Sequence, residues 1–257
     1  MPDLFLELHD DDDESGTTTA AAPEPAALEL LRTAEFSATK LIPWGSNYSF
    51  AVALEDADGR SQLAIYKPRA GEAPLHDFPD GTLYLREQAA YVVSRWLGWG
   101  LVPPTVVRDG PHGVGSVQLY IEPTPDTGES RQFWGSCSGE IEPLVLFDQL
   151  INNADRKIGH CLRDASGRIW GIDHGLAFNR YPKLRTVLWQ FVGEPISPPL
   201  LSSLRRARRQ WGDLCRELGA LLDQSEIEAL TARLDRIIED KTHPSLNPRR
   251  NVPYGWW

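Results

Sequence analysis

A lysine closes an apolar strand face in this chain, and a glutamate interrupts an apolar helix stripe. The run 61–67 alternates with a period of two, so Leu63, Ile65 and Lys67 share one face. Residues 81–97 follow a helical period that sets Leu83, Glu87, Ala90, Tyr91 and Ser94 on one stripe. An ion buried alone costs about several kcal/mol, so Lys67 and Glu87 are each other's natural partners unless both ends reach water along their apolar stems. The pairing asks for a helix laid beside a sheet, an α+β arrangement.

The rest of the chain fits that frame. Strands 48–55 and 61–67 flank the turn residues 56–60 and form a first hairpin. Runs 102–108 and 115–122 form a second across 109–114. A polar, glycine-rich stretch, 123–140, reads as a connector. An apolar helix is predicted over 143–152 and a third hairpin over 160–164 and 168–172. Residues 174–199 carry little regular pattern. Helices are predicted over 200–222 and 225–240, the latter with Ser225 as N-cap and Glu228 completing a capping box. The expected organisation is an acidic tail over 1–27, a sheet-rich N-lobe over 28–122, the connector over 123–140 and a helical C-lobe over 141–257.

Charge narrows the function classes. The formal net charge is −10, yet residues 1–27 hold eight acids and no Lys or Arg. The tail is expected to be disordered and solvated, with Trp256 and Trp257 at the other end packing back on the body. The nearly neutral body excludes the basic surface of a nucleic-acid binder. No apolar run approaches the roughly 20 residues of a membrane span, and no secretory leader is visible. Three scattered cysteines, Cys137, Cys161 and Cys215, offer neither a disulfide framework nor metal spacing, which suits a reducing cytoplasm.

The chemistry is concentrated in Asn152-Asn153-Ala154-Asp155-Arg156-Lys157-Ile158-Gly159-His160 and, eleven residues on, Ile172-Asp173-His174-Gly175. The third hairpin runs from His160 to Ile172, so its outer ends bring Asp155, His160 and Asp173 to one mouth. Two carboxylates crowded with an imidazole repel unless a cation sits between them. Phosphoryl transfer uses such a set: one Asp orients the acceptor hydroxyl, a second holds the metal, a strand lysine holds the phosphates and a helix carboxylate holds the lysine. Asp155, Asp173, Lys67 and Glu87 supply these in kinase order.

The segments Asp155-Arg156-Lys157…His160 and Ile172-Asp173-His174-Gly175 resemble those of the phosphatidylinositol 3-/4-kinase-like superfamily, which includes the HipA-type kinases. Tyr66-Lys67-Pro68, Gly81-Thr82-Leu83-Tyr84, Arg86-Glu87 and Gly98 to Thr105 extend the likeness to a small actinobacterial family of phosphatidylinositol-kinase-like proteins. The resemblance implies a two-lobed protein-kinase-like (PI3K-like) fold with a small antiparallel-sheet N-lobe and a mostly helical C-lobe. It implies ATP with Mg²⁺, Asp155 as catalytic residue, Asp173 as metal ligand and Lys67 as phosphate contact. Two positions depart from it. His160 replaces the superfamily Asn at a metal position, a softer ligand better matched to Mn²⁺. Lys157 replaces a His and could neutralise phosphate charge. Gly45-Ser46-Asn47-Tyr48-Ser49 is the candidate phosphate loop, through Ser46, Asn47, Ser49 and its backbone. The strand end holding Gln118 and Tyr120 is where a hinge would meet adenine. Lys183, Arg185 and the run 205–209 could contact an acidic substrate, a solvated helix face being the simpler account of the run. The expectation is an ATP-dependent phosphotransferase acting on a protein hydroxyl or a small polar metabolite. A nucleotide-binding pseudokinase that regulates a partner and a nucleotidyl transferase stay open.

Overall fold

The computed structural model describes residues 24–125 and 128–254. Residues 1–23 of the expected tail, and Trp256 and Trp257, lie outside the described residues. The described residues divide into two compact units, one of residues 24–88 with 103–122, the other of 89–102 with those from 123 to 254.

The first unit is a five-stranded antiparallel sheet, with one helix before its first strand and the start of another between its third and fourth. Helix α1 (Glu24–Thr33) begins inside the expected tail and buries Ala27, Leu28, Leu30 and Leu31. Strands β1 (Glu35–Ile42), β2 (Ser49–Glu55), β3 (Ser61–Pro68), β4 (Thr105–Gly110) and β5 (Gly113–Leu119) take the order β1-β2-β3-β5-β4. Helix α2 (Leu83–Leu97) starts in this unit. Arg108 donates to the carbonyls of Leu31 and Ala34 at 3.1 and 2.9 Å, closing the C-terminus of α1. Register places Lys67 on β3 opposite Ser116 on β5, with Pro68 opposite Gly115. A Cβ at Gly115 would run into the Lys67 carbonyl, so glycine lets β5 pass close to the strand that carries the lysine.

The second unit is mostly helical. It takes the latter part of α2, then α3 (Gly128–Gly135) within the stretch expected as connector, and α4 (Glu142–Ile151). The short hairpin β6 (Cys161–Arg163) and β7 (Ile169–Gly171) follows. Helices α5 (Pro198–Arg209), α6 (Trp211–Leu218) and α7 (Gln224–Asp240) complete it. Every residue of α4 but Pro143 is buried, which makes it the axis of the unit. The helix expected over 200–222 is broken at Gln210 (φ −113°, ψ 18°), where Trp211 turns inward and donates its indole N–H to Thr231 at 2.9 Å. The cap of α7 also differs from expectation. Asp223 is the N-cap and Glu226 closes the box, while Ser225 donates its hydroxyl to Asp223 at 2.7 Å. Among the described residues no helix is long and apolar enough to cross a membrane.

Candidate active site

In the first unit Lys67 Nζ lies 2.5 Å from Glu87 Oε1, with the glutamate side chain 3% exposed and the lysine 24%. The burial argument for this pair therefore describes the geometry. Glu72 was not visible to that argument. Its carboxylate accepts from the backbone N–H groups of Leu83 and Tyr84 at 3.1 and 2.8 Å, capping α2 one turn before Glu87. Nothing local marks it, because the cap arrives from eleven residues upstream.

The loop holding Ser46 and Asn47 joins β1 to β2, and Ser49 opens β2. Gly45 takes φ 115°, a left-handed turn that favours glycine. Asn47 Oδ1 accepts from Ala73 N at 2.8 Å and Tyr48 N donates to Gly71 O at 2.9 Å, so the loop is tied to residues 71–73. Asn47 thus shapes the loop, while Ser46 is exposed. Gln118 is buried and donates to Thr105 Oγ1 at 2.8 Å, and Tyr120 N donates to Leu63 O at 3.0 Å. Both groups belong to the packing of the sheet.

In the second unit α4 ends at Asn152 in the left-handed conformation (φ 57°) and delivers Asn153 and Asp155. Asn153 donates to Asp148 Oδ1 at 2.9 Å and accepts from Asp155 N at 3.0 Å. Arg156 is fully buried. It donates to both oxygens of Asp148 at 2.7 and 2.9 Å, to the carbonyls of His160 and Ile172 at 2.9 Å each, and lies 2.8 Å from His174 Nε2. One guanidinium therefore ties helix α4, the start of β6 and the turn after β7. Burial works against its charge, but Asp148 more than offsets this and holds the group above its ordinary value. Gly171 allows the close approach, since a Cβ there would sit 2.8 Å from Leu144 Cδ1 and 3.3 Å from Arg156 Nη2.

His160 meets Asp173 through its carboxylate but Asp155 only through its backbone carbonyl. His160 Nδ1 lies 3.2 Å from the Asp155 carbonyl and His160 Nε2 lies 3.2 Å from Asp173 Oδ2. A carbonyl only accepts, so Nδ1 carries the proton. In the neutral ring Nε2 is then a lone pair facing a carboxylate oxygen, and such a pair needs a proton or a cation between its members. Asp173 holds a left-handed φ of 61° and is half exposed, a backbone state uncommon outside glycine. Lys157 Nζ pairs with Asp155 Oδ2 at 2.8 Å. Cys161 is no nucleophile here: burial pushes its thiol up to about 12, against the pull of Arg156. Among the described residues no three His, Cys, Asp or Glu side chains gather as a metal site. His160 Nε2 and Asp173 Oδ2 are the two donor atoms that face each other at this mouth.

Sequence reasoning missed Asp148. The signal was present: it is an acid inside the apolar run 144–151, the same anomaly that exposed Glu87.

The architecture is that of the two-lobed protein-kinase-like fold. A Golgi casein kinase with Mn/ADP bound superposes at a TM-score of 0.55 and 15% identity, covering 88% of this chain and 80% of that one. The Helicobacter pylori proinflammatory kinase CtkA superposes at 0.52 and 13%, covering 82% and 94%. A hydra Fam20 structure with sugar gives 0.52 and 15%, covering 83% and 87%. At these identities the likeness is one of fold. No protein-family model matches the chain. In sequence, it is 36% identical over 230 residues to Protein Rv2133c of Mycobacterium tuberculosis (strain ATCC 25618 / H37Rv), spanning 76% of this chain and 83% of that protein. The chain belongs to the Rv2133c family.

Proposed function

We propose that this chain is an ATP-dependent phosphotransferase, an atypical kinase that resembles the phosphatidylinositol 3-/4-kinase-like and HipA-type enzymes. The observation that carries the reading is the single imidazole of His160, which bridges the Asp155 loop and the Asp173 carboxylate, with Nε2 3.2 Å from Asp173 Oδ2. A kinase-like fold with Mn and ADP bound supports a nucleotide and a divalent ion in such an architecture.

Lys67, oriented by Glu87, contacts the nucleotide phosphates. Ser46, Ser49 and the backbone of their loop cover them, with Asn47 shaping the loop. Adenine meets the backbone that follows Tyr120, since Gln118 and the Tyr120 N–H are engaged. Asp173 and His160 hold Mg²⁺ or Mn²⁺, which when bound neutralises charge on the phosphates. Asp155 orients the acceptor hydroxyl and takes its proton, and Lys157 neutralises charge beside it. The acceptor is a protein hydroxyl or a small polar metabolite. All three cysteines are free thiols, which suits a reducing cytoplasm.

One observation favours a second reading. Lys157 already occupies Asp155 at 2.8 Å, as in a pseudokinase that binds nucleotide to regulate a partner. Purified protein given α- or γ-labelled ATP with Mg²⁺ and then Mn²⁺ separates these. Release or transfer of the γ label marks phosphoryl transfer, and retention of the α label marks nucleotidyl transfer. Binding of ATP with neither event marks the pseudokinase.

A further inference from the structure

We propose that Arg185 is the specificity residue of the acceptor site and that the acceptor carries an anionic group, a phosphate or a carboxylate, beside its reacting hydroxyl. The inference rests on the phosphotransferase reading and adds the chemical class of its substrate.

The segment around Arg185 runs parallel to the Asp155 loop. Arg185 N donates to Asn153 O at 2.9 Å, Arg156 N to Arg185 O at 3.0 Å and Val187 N to Arg156 O at 3.1 Å. Arg156 and Thr186 are bridge partners in this pairing, and both are buried, at 0% and 4% exposure. Successive side chains in extended backbone point to opposite faces. The register therefore sets Asp155 and Arg185 abreast on the face opposite Arg156 and Thr186, where both are partly exposed.

The charge on Arg185 is held without being neutralised. Its guanidinium lies over the ring of Tyr254, 4.7 Å from the centroid, and among the described residues no carboxylate pairs with it. Other arginines of this unit are engaged: Arg156 with Asp148, Arg95 with Glu217, Arg208 with Asp235 and Arg216 with Asp213. Pairing of Arg208 with Asp235 also removes part of the basic run 205–209 from consideration. The position of Arg185 is fixed from both sides. Thr186 N donates to Asn251 O at 2.9 Å and Asn251 Nδ2 to Leu184 O at 2.6 Å. These bonds bring the C-terminal turn, and with it Tyr254, onto the segment.

A guanidinium stacked on an aromatic face keeps its in-plane N–H groups available for a two-pronged bond to an oxyanion. Asp155 already has Lys157 as counter-ion, so Arg185 is a surplus positive charge at the place where the acceptor hydroxyl would be oriented. An acceptor whose anion binds Arg185 edge-on would have its nearby hydroxyl brought to Asp155.

The test titrates inorganic phosphate, and separately acetate, into the full chain with and without saturating ADP and Mg²⁺, by calorimetry. ADP binding is measured on the same samples. The wild type should bind phosphate in the presence of ADP. Arg185→Gln should weaken it by about tenfold or more, Arg185→Lys should retain part of it, and Tyr254→Ala should weaken it a few-fold, all with ADP affinity unchanged. The tighter of phosphate and acetate names the anion. Should Arg185→Gln fail to fold, Arg185→Lys and Tyr254→Ala carry the test. Normal ADP binding with no phosphate binding, or with binding indifferent to Arg185 and Tyr254, overturns the anion site and leaves the nucleotide reading standing. Failure of the wild type to bind ADP overturns the phosphotransferase reading and with it the acceptor role, whatever phosphate does.

Discussion

Arg156 places all five of its N–H groups inside the second unit, two on Asp148, two on the carbonyls of His160 and Ile172 and one toward His174. Its contribution is positional: it sets the distance between the loop of Asp155 and the turn of Asp173. Arg156→Met leaves the Asp148 carboxylate buried without its counter-ion, an expected loss of about 3–5 kcal/mol of stability. Arg156→Lys can reach Asp148 but cannot span both carbonyls, and falls between. Adding Asp148→Leu to Arg156→Met should recover at least half of the loss, as read from urea denaturation of the four proteins. A double mutant no better than Arg156→Met contradicts this account of the pair. At this scale the sequence was most legible where a charge broke an apolar pattern. Lys67 and Glu87 were found that way, and Asp155, His160 and Asp173 through the hairpin that joins them. Asp148 obeyed the same rule inside α4. Glu72 obeyed none, because a cap supplied from a distant loop leaves no local pattern.

The elements were legible where an apolar run or an apolar period was unbroken. Strands β2 and β3, helix α2 and helix α4 fall within a few residues of their expected limits. Strand β1, unlike the other edge strand β4, was missed because a bulge interrupts its alternation. It pairs only with β2 in the sheet order, is exposed at every second residue as far as Leu41, and carries a bulge between Phe36 and Ala38. Its absence from the sequence reading moved the candidate phosphate loop from within a β1–β2 hairpin to an unassigned approach. At the start of α7 two acceptor residues compete two positions apart, and the winner is Asp223, whose carboxylate accepts from Glu226 N at 3.0 Å. Asp223→Ala should cost about 1–2 kcal/mol and Ser225→Ala under about 0.5. Thermal unfolding of the two variants checks the order, and equal losses would return the cap to Ser225.

Across the whole molecule, the chain passes between the units at three places: inside α2 after Gln88, after Val102 and after Glu122. A composition-based search for polar connectors does not detect a boundary carried by a continuous helix. Stability should respond to pH through His243, which is buried against Glu142 and Gln149 at 3.3 and 3.0 Å. Burial holds its imidazole below the ordinary 6.5, with Glu142 opposing the shift. As pH falls through about 6.5 the unfolded chain takes up a proton that the folded chain resists. Unfolding free energy should therefore decline below that pH, by at most about 1.4 kcal/mol per pH unit from this group, until the folded value is passed. His243→Gln should flatten that part of the profile, and an unchanged slope would contradict the assignment. The central claim, that the Asp155 loop and the Asp173 turn form one phosphotransfer site, is tested most directly by ATP turnover measured beside nucleotide binding in three proteins. With Mg²⁺ or Mn²⁺, wild type should bind ATP and release its γ-phosphoryl group. Asp155→Asn should bind equally but turn over at least about 100-fold more slowly, and Asp173→Asn should lose metal-dependent binding itself. Turnover by Asp155→Asn at the wild-type rate would contradict the account.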